Sequence, residues 1–511
     1  MSKLIQLPIW QTLKRHALEI QPFTATQFFA QEPNRIKDFT FQFDELYIDF
    51  SKNQLTNATK LLLLELVQAQ QLQSRINDLF SAKTVNFTEN RAALHMALRV
   101  PDENSNLVAT PAILAKIIAT RKGMYEFAEK IREGEIKGAT DKKFTDIVSI
   151  GVGGSGLGPQ MLYHALPAYR DKNFNVHFIS GMDGEEINQL LKQLNPETTL
   201  FVIASKSFTS IDTLANAKTV KDWLIKKVKK FDLHMVGVSE NETAVRDFGI
   251  QPDYTFHMDD FVGGRYSIWS AVSIATVIAI GPKNFSDFLQ GAHLVDQHFK
   301  NTSFSNNIPV LLGLLDVWNI NFLKHQTRAI LPYSYLLKIL PGYLQQLEME
   351  SCGKSVTRAQ EKVDYETGPI VWGDVGFIGQ HSFYQLLHQG TQIVPIDIII
   401  SAHTQNNLEH HRHLALANAI AQTQAFTEEG HQPITVMMFQ HLTPKIIGML
   451  IALYEHKVFT KSVIWDINPF DQMGVERGKV LAKQYIAELG QSKTPLDDEA
   501  TRTILAKASK C

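Results

Sequence analysis

The chain has 511 residues, 44% hydrophobic and 20% charged, and 50 Lys+Arg against 52 Asp+Glu leave a formal net charge of −2. These proportions are those of a globular protein and exclude a disordered chain, a collagen and a coiled coil. Without a basic excess, the composition argues against a general binder of nucleic acid or of anionic membranes. At about 150 residues per domain the length predicts roughly three domains, or two large α/β ones. The two cysteines, Cys352 and Cys511, cannot build a disulfide framework or a cysteine zinc site, and they point to a reducing, cytoplasmic setting. The opening residues hold no clean apolar run and no small-residue cleavage site, so no signal peptide is expected.

In chain order, the first 140 residues read as mostly helical. Ile9, Leu13, Ala17 and Ile20 recur at helical spacing, and the Leu- and Gln-rich stretch 61–80 predicts one long amphipathic helix. Between them, Leu46, Ile48 and Phe50 alternate with polar neighbours and predict one short strand. Then short apolar runs alternate with longer helical stretches. The first series is 147–150, 176–180, 200–204, 233–238 and 254–258; the second is 329–335, 369–372, 392–400, 434–439 and 462–467. Near-continuous apolar runs of this kind mark parallel strands buried on both faces. The expected architecture is therefore α/β, with two doubly wound five-stranded parallel sheets and helical extensions at both ends. The polar stretch NTSFSNN places the boundary near 290–308. The longest uncharged apolar stretch, 266–282, is shorter than the ~20 residues of a membrane span and reads as a buried helix of a soluble chain. The tail, 492–511, reads as a terminal helix.

Ligands of open α/β sheets bind beyond the carboxyl ends of the strands, so the loops there are the places to look for chemistry. After the first strand, residues 151–158 (GVGGSGLG) hold five glycines in eight residues. The run contains GxGxxG, a dinucleotide fingerprint, but that reading also wants an acid at the end of the second strand. Asp183, the nearest, lies 27 residues after Gly156. The hydroxyl of Ser155, next to Gly154, suits a phosphate monoester as well, and a tight strand–helix turn is the plain alternative. After the third strand come Ser205, Lys206, Ser207, Thr209 and Ser210. Four hydroxyls and a cation where a helix begins make a phosphate cradle, whereas ordinary capping needs one hydroxyl. After the fifth strand, Gly263-Gly264-Arg265 lets backbone approach a ligand and offers a guanidinium to an anion, with a surface arginine in a glycine turn as the plain alternative.

In the second half, residues 345–355 (QQLEMESCGKS) end like a Walker A loop, but Glu348 stands where that motif needs glycine. What remains is a carboxylate-rich segment entering a Gly-Lys turn, where a carboxylate is a plausible base for a proton next to a carbonyl, although a lone Glu is usually a solvated charge. His381 follows a glycine turn at a strand end. Gln472 and Lys479 lie in the segment after the last run, where a lysine on a helix is ordinarily a solvated charge. The run Glu409-His410-His411-Arg412-His413 lacks metal-ligand spacing and reads as a polar helix surface.

Taken together, these segments resemble the glucose-6-phosphate isomerase (phosphoglucose isomerase) family. Residues 260–267 (DFVGGRYS) and 470–479 (FDQMGVERGK) are similar to its two diagnostic signatures, and the likeness extends through 86–99, 151–159, 205–210, 349–354 and 379–386 in the family's order. The resemblance implies two sugar-isomerase domains. Residues 116–290 would carry the phosphate loops and 300–490 would carry Glu350 and His381. A helical segment 1–115 would pack on the second domain, and 491–511 would form a C-terminal helix. It implies reversible isomerisation of glucose 6-phosphate and fructose 6-phosphate, in glycolysis and gluconeogenesis, through ring opening and an enediolate. The enzyme would be a cytoplasmic homodimer with no metal, organic cofactor, nucleic-acid or membrane partner.

By position, Ser155, Ser205, Lys206, Ser207 and Ser210 resemble the phosphate-binding set. Gln346 and Gln472 resemble substrate contacts, and Arg265 the enediolate stabiliser. Glu350 resembles the base moving the proton between C1 and C2. His381 and Lys479 resemble the ring-opening pair, with His381 reaching the site across the subunit interface. The chain departs from the family at Cys352, Met473, Gly156 and Phe377-Ile378. Two other classes stay open at this level. A nicotinamide-dependent dehydrogenase would use the glycine loop, and a non-catalytic sugar-phosphate sensor would need no base.

Overall fold

The computed structural model describes residues 2–101, 109–429, 431–489 and 498–508. Cys511 and part of the expected tail helix lie outside them. Two compact units are present, Met1–Pro469 and Phe470–Cys511.

The larger unit is built on two sheets. In the first, β3 (Asp146–Ile150), β4 (Asn175–Ile179), β5 (Thr199–Ala204), β6 (Met235–Ser239) and β7 (Thr255–His257) are all parallel, in the order β4-β3-β5-β6-β7. All six residues of β5 are buried, as a central strand covered on both faces must be. The chain turns to one side after β3 and to the other at β5, so the crevice between their carboxyl ends is a topological switch point. The loops 151–154 and 205–210 open there.

The α/β architecture with buried parallel strands is as expected, but the second sheet has a different strand complement. It has six strands and is mixed, in the order β1-β2-β11-β10-β8-β9. Its parallel part is β8 (Thr327–Pro332), β9 (Ile370–Gly373), β10 (Ile396–Ser401) and β11 (Ile434–Phe439). The hairpin β1 (Thr40–Phe43) and β2 (Leu46–Lys52) adds two antiparallel strands through β2 on β11. Leu46, Ile48 and Phe50 face inward, as their alternation predicts. The expected strand 462–467 is instead the last turn of the Pro444–Ile464 helix and the chain just after it. That helix is buried at every residue except Lys445, so it has no polar face and no 3.6-residue signature to betray it.

Two other readings change. The stretch 61–80 is two helices, Asn57–Ala69 and Leu72–Leu79, broken at Gln71, whose φ of 54° is left-handed. The buried stretch 266–282 is a pair of 3₁₀ turns, Gly264–Trp269 and Ala271–Ser273, followed by the helix Ile274–Ile280 and the start of the next. The expected boundary, 290–308, is the end of the Pro282–Asn301 helix and the turn into Ile308–Val317.

The Pro444–Ile464 helix is the spine of this unit and crosses Pro282–Asn301 at Gly291 and Gly448. A Cβ on Gly291 would strike the Lys445 carbonyl, and one on Gly448 the Phe288 carbonyl. Its buried charges are paired. Lys457 lies 3.0 Å from Asp316, and Lys461 lies 2.7 Å from Asp316 and bonds Glu348. Arg328 bridges Asp316 and Asp397. Three cations balance three carboxylates, the condition for burying such charges at all. Through Glu348 this cluster fixes the rotation of the Leu340–Cys352 helix.

The smaller unit holds the helices Glu476–Leu489 and Glu499–Ala508. No helix among the described residues is long and apolar enough to cross a membrane.

Candidate active site

Three segments meet at the switch point of the first sheet. Gly153 has φ 58° and ψ −127°, a conformation that glycine alone enters without strain. A Cβ there would also come within 3.1 Å of the Gln346 amide nitrogen. A Cβ on Gly154 would strike the carbonyl of Gly264. The glycine loop is therefore bare because the turn 263–265 and the Leu340–Cys352 helix press against it.

On that helix Gln346 and Glu350 stand one turn apart, and the Gln346 amide donates to Glu350 Oε2 at 3.0 Å. The other carboxylate oxygen lies 3.5 Å from Arg265 Nη1. The Glu350 side chain keeps 23% exposure, whereas the Arg265 side chain keeps none. The guanidinium also donates from Nε to Ser351 Oγ at 2.7 Å and from Nη2 to the Pro469 carbonyl. A half-open carboxylate beside a fixed, desolvated guanidinium is the arrangement needed to remove a proton and hold the resulting oxyanion.

The hydroxyl loop follows β5. Ser205 is buried and its hydroxyl reaches Ser210 Oγ at 3.4 Å; Ser207 pairs with Thr209 at 2.6 Å. Ser210 is the N-cap residue of the Ile211–Ile225 helix, yet its side chain makes no capping bond. The hydroxyl cluster thus does not serve the helix start in the ordinary way. Phe208 turns the loop with φ 53° and is anchored by burial against Phe248.

Lys206, expected in the cradle, turns its ammonium to the carbonyls of Asp260 at 2.6 Å and Val262 at 3.2 Å. It ties the hydroxyl loop to the loop that carries Arg265, and burial pulls its pKa down. Arg91 Nη1 donates to the same Asp260 carbonyl at 3.2 Å, and Leu94 N–H bonds the Phe261 carbonyl. Segment 86–99 therefore supports this loop. Ser155 is buried at the start of the Gly154–Ala165 helix.

The remaining expected residues divide between the two units. His381 is exposed and lines a cleft of about 850 Å³ with Tyr333, Phe377, Ser401 and His403, at the switch point of the second sheet. No hydrogen bond joins it to Glu350. Gln472 and Lys479 belong to the smaller unit, where Lys479 pairs with Glu476 at 2.8 Å. Asp183, the acid a dinucleotide site would need, instead caps the Gly184–Leu191 helix by accepting from Glu185 N–H at 3.0 Å. The Glu409–His413 run lies on a polar helix start where Arg412 pairs with Glu409. Among the described residues no group of three metal-ligating side chains occurs.

Cys352 is buried 3.8 Å from Ser462 Oγ, and burial pushes its thiol up to about 11. It is packing rather than chemistry. Sequence reasoning passed over Ser351 and Tyr266, which are both buried and 2.9 Å apart through their hydroxyls. Each is the immediate neighbour of a residue already singled out, but a lone hydroxyl carries no signal in sequence.

The family model described as phosphoglucose isomerase matches residues 49–429 and 426–505. A glucose-6-phosphate isomerase of Acinetobacter baumannii is 46% identical over 99% of this chain and 96% of its own. One from Methylococcus capsulatus is 40% identical over 99% of both chains. The crystal structure of a glucose-6-phosphate isomerase from Chlamydia trachomatis superposes with a TM-score of 0.86 at 29% identity, covering 99% of each chain.

Proposed function

The chain belongs to the phosphoglucose isomerase family, and we propose on that footing a reaction and a role for each site residue. The protein is a glucose-6-phosphate isomerase. It interconverts glucose 6-phosphate and fructose 6-phosphate, as an enzyme of glycolysis and gluconeogenesis.

The phosphate docks on the glycine and hydroxyl loops. There Gly154 and Ser155 open one helix, and Ser205, Ser207 and Ser210 precede another. Helix-start amides and hydroxyl donors both favour a dianion. Lys206 acts from behind, holding the hydroxyl loop against the Arg265 loop. Glu350 takes the C2 proton of the open-chain aldose and returns it to C1; the carbonyl oxygen at C1 gains a proton as the hydroxyl at C2 loses one. Arg265 offsets the negative charge that develops on the enediolate oxygens. Gln346 and Gln472 contact the sugar. Lys479 and His381 of the partner subunit open the ring, so the working unit is a homodimer, in the cytoplasm. We assign two sugar-isomerase domains, 116–290 with the first sheet and 300–490 with the parallel strands of the second, to which segment 1–115 adds its hairpin, and a C-terminal segment 491–511.

One observation carries this reading. Glu350 sits between an amide donor and a fixed guanidinium at the switch point of a parallel sheet. A dehydrogenase would need neither, and the acid it does need is occupied in capping a helix. A sugar-phosphate sensor would need no base. The deciding test follows fructose 6-phosphate turning into glucose 6-phosphate, with glucose-6-phosphate dehydrogenase reporting the product. Glu350→Gln is expected to lower turnover by about 10²–10⁴-fold while leaving phosphate binding intact. Near-normal turnover in that variant overturns the base assignment.

A further inference from the structure

We propose that Ser351 and Tyr266 are positioning residues that lock one edge of Arg265, so that its Nη1 is presented beside the Glu350 carboxylate. The inference rests on the isomerase reading above and extends it to residues that touch no substrate. A guanidinium has a side-on edge formed by Nε and one terminal nitrogen. In Arg265 that whole edge is engaged. Nε donates to Ser351 Oγ at 2.7 Å, and Nη2 donates to the Pro469 carbonyl. Tyr266 closes the ring. Its hydroxyl lies 2.9 Å from Ser351 Oγ and 3.4 Å from the same Pro469 carbonyl. The four groups form a closed polar circuit with no more than 2% exposure on Arg265, Ser351 and Tyr266.

The circuit is itself walled in. The ring of the buried His95 lies 4.7 Å from that of Tyr266, and burial holds this imidazole neutral. Burial also raises the Tyr266 phenol, so it keeps its proton and stays a donor. Tyr343 OH reaches the Arg265 carbonyl at 3.5 Å. A guanidinium with one edge held this way cannot swing when charge moves in front of it. Its remaining terminal nitrogen faces Glu350 at 3.5 Å. Groups aimed before the reaction stabilise developing charge without reorganising, whereas a mobile arginine would bind ground state and transition state alike.

The experiment compares wild type, Ser351→Ala and Tyr266→Phe. It measures kcat, KM, the melting temperature, and the Kd of two ligands. One is a five-carbon sugar-acid hydroxamate phosphate, planar and anionic as the enediolate is. The other is a hexitol 6-phosphate, which has the phosphate and hydroxyls but no such charge. Both variants are expected to lose about ten- to a hundredfold in kcat with KM within about twofold of wild type. Hydroxamate affinity should fall by the same factor, and hexitol phosphate affinity should not move. Wild-type kcat in the folded variants overturns the proposal, as does an equal loss of affinity for both ligands. If Ser351→Ala does not fold, Tyr266→Phe, which removes one hydroxyl and leaves the ring packed on His95, decides alone. Wild-type protein without turnover overturns the isomerase reading and this proposal with it.

Discussion

Arg265 is the residue on which the site turns. Its charge is buried, and Ser351, the Pro469 carbonyl and the Glu350 carboxylate are among its partners. Arg265→Ala is expected to lower kcat by about 10²–10³-fold, the cost of one oxyanion donor, and to weaken hexitol 6-phosphate binding far less. Equal losses would recast Arg265 as a phosphate clamp. Arg265→Lys should not rescue the rate, because an ammonium cannot engage Ser351 and Pro469 on one edge and Glu350 on another. At this scale the sequence named the charged residues and gave no sign of the hydroxyls that orient them. Lys206 was legible as a cation beside hydroxyls. That its ammonium faces two backbone carbonyls rather than the cradle follows from where the 259–263 loop passes, and this is a tertiary fact.

Among the elements, the Pro444–Ile464 helix was the least legible and is among the most consequential. Its carboxyl end read as a strand because burial on every side erases the period that distinguishes a helix. The same burial places Glu455 in a second closed network. Arg99 pairs with both oxygens of Asp296 at 2.7–2.8 Å and with Glu455 at 2.6 Å, and the Trp269 indole donates to Glu455 at 2.9 Å. One cation serves two carboxylates there. Desolvation outweighs Arg99 and raises Glu455 from 4.5 to about 7. A carboxyl raised on folding keeps a proton that the unfolded chain has released, so stability falls as pH rises between those values. Relative to Glu455→Gln, wild type should therefore lose stability from pH 4.5 to 7, by about 3 kcal/mol at most. Denaturant midpoints of the two proteins across that range measure it, and a flat or rising difference would contradict the raised value.

For the whole molecule, the decisive prediction concerns how sites are shared. If His381 serves the partner's site, Glu350→Gln and His381→Ala subunits, each inactive alone, should complement when unfolded and reassembled together. Random pairing gives about a quarter of wild-type activity, because half the dimers are mixed and one site in each is whole. No recovery would place His381 in the site of its own chain. The sequence by itself determined the α/β class, the strands of the first sheet and the loops at their carboxyl ends. These are local properties: apolar runs, glycine turns and hydroxyl clusters are written in contiguous residues. Only the tertiary structure decided that a hairpin near residue 45 completes a sheet whose other strands begin near residue 330. It alone brought Gly153, Arg265, Gln346 and Glu350 together. Contacts between segments about eighty or more residues apart depend on how buried faces match and which buried charges must be paired, and no window of the sequence contains both partners.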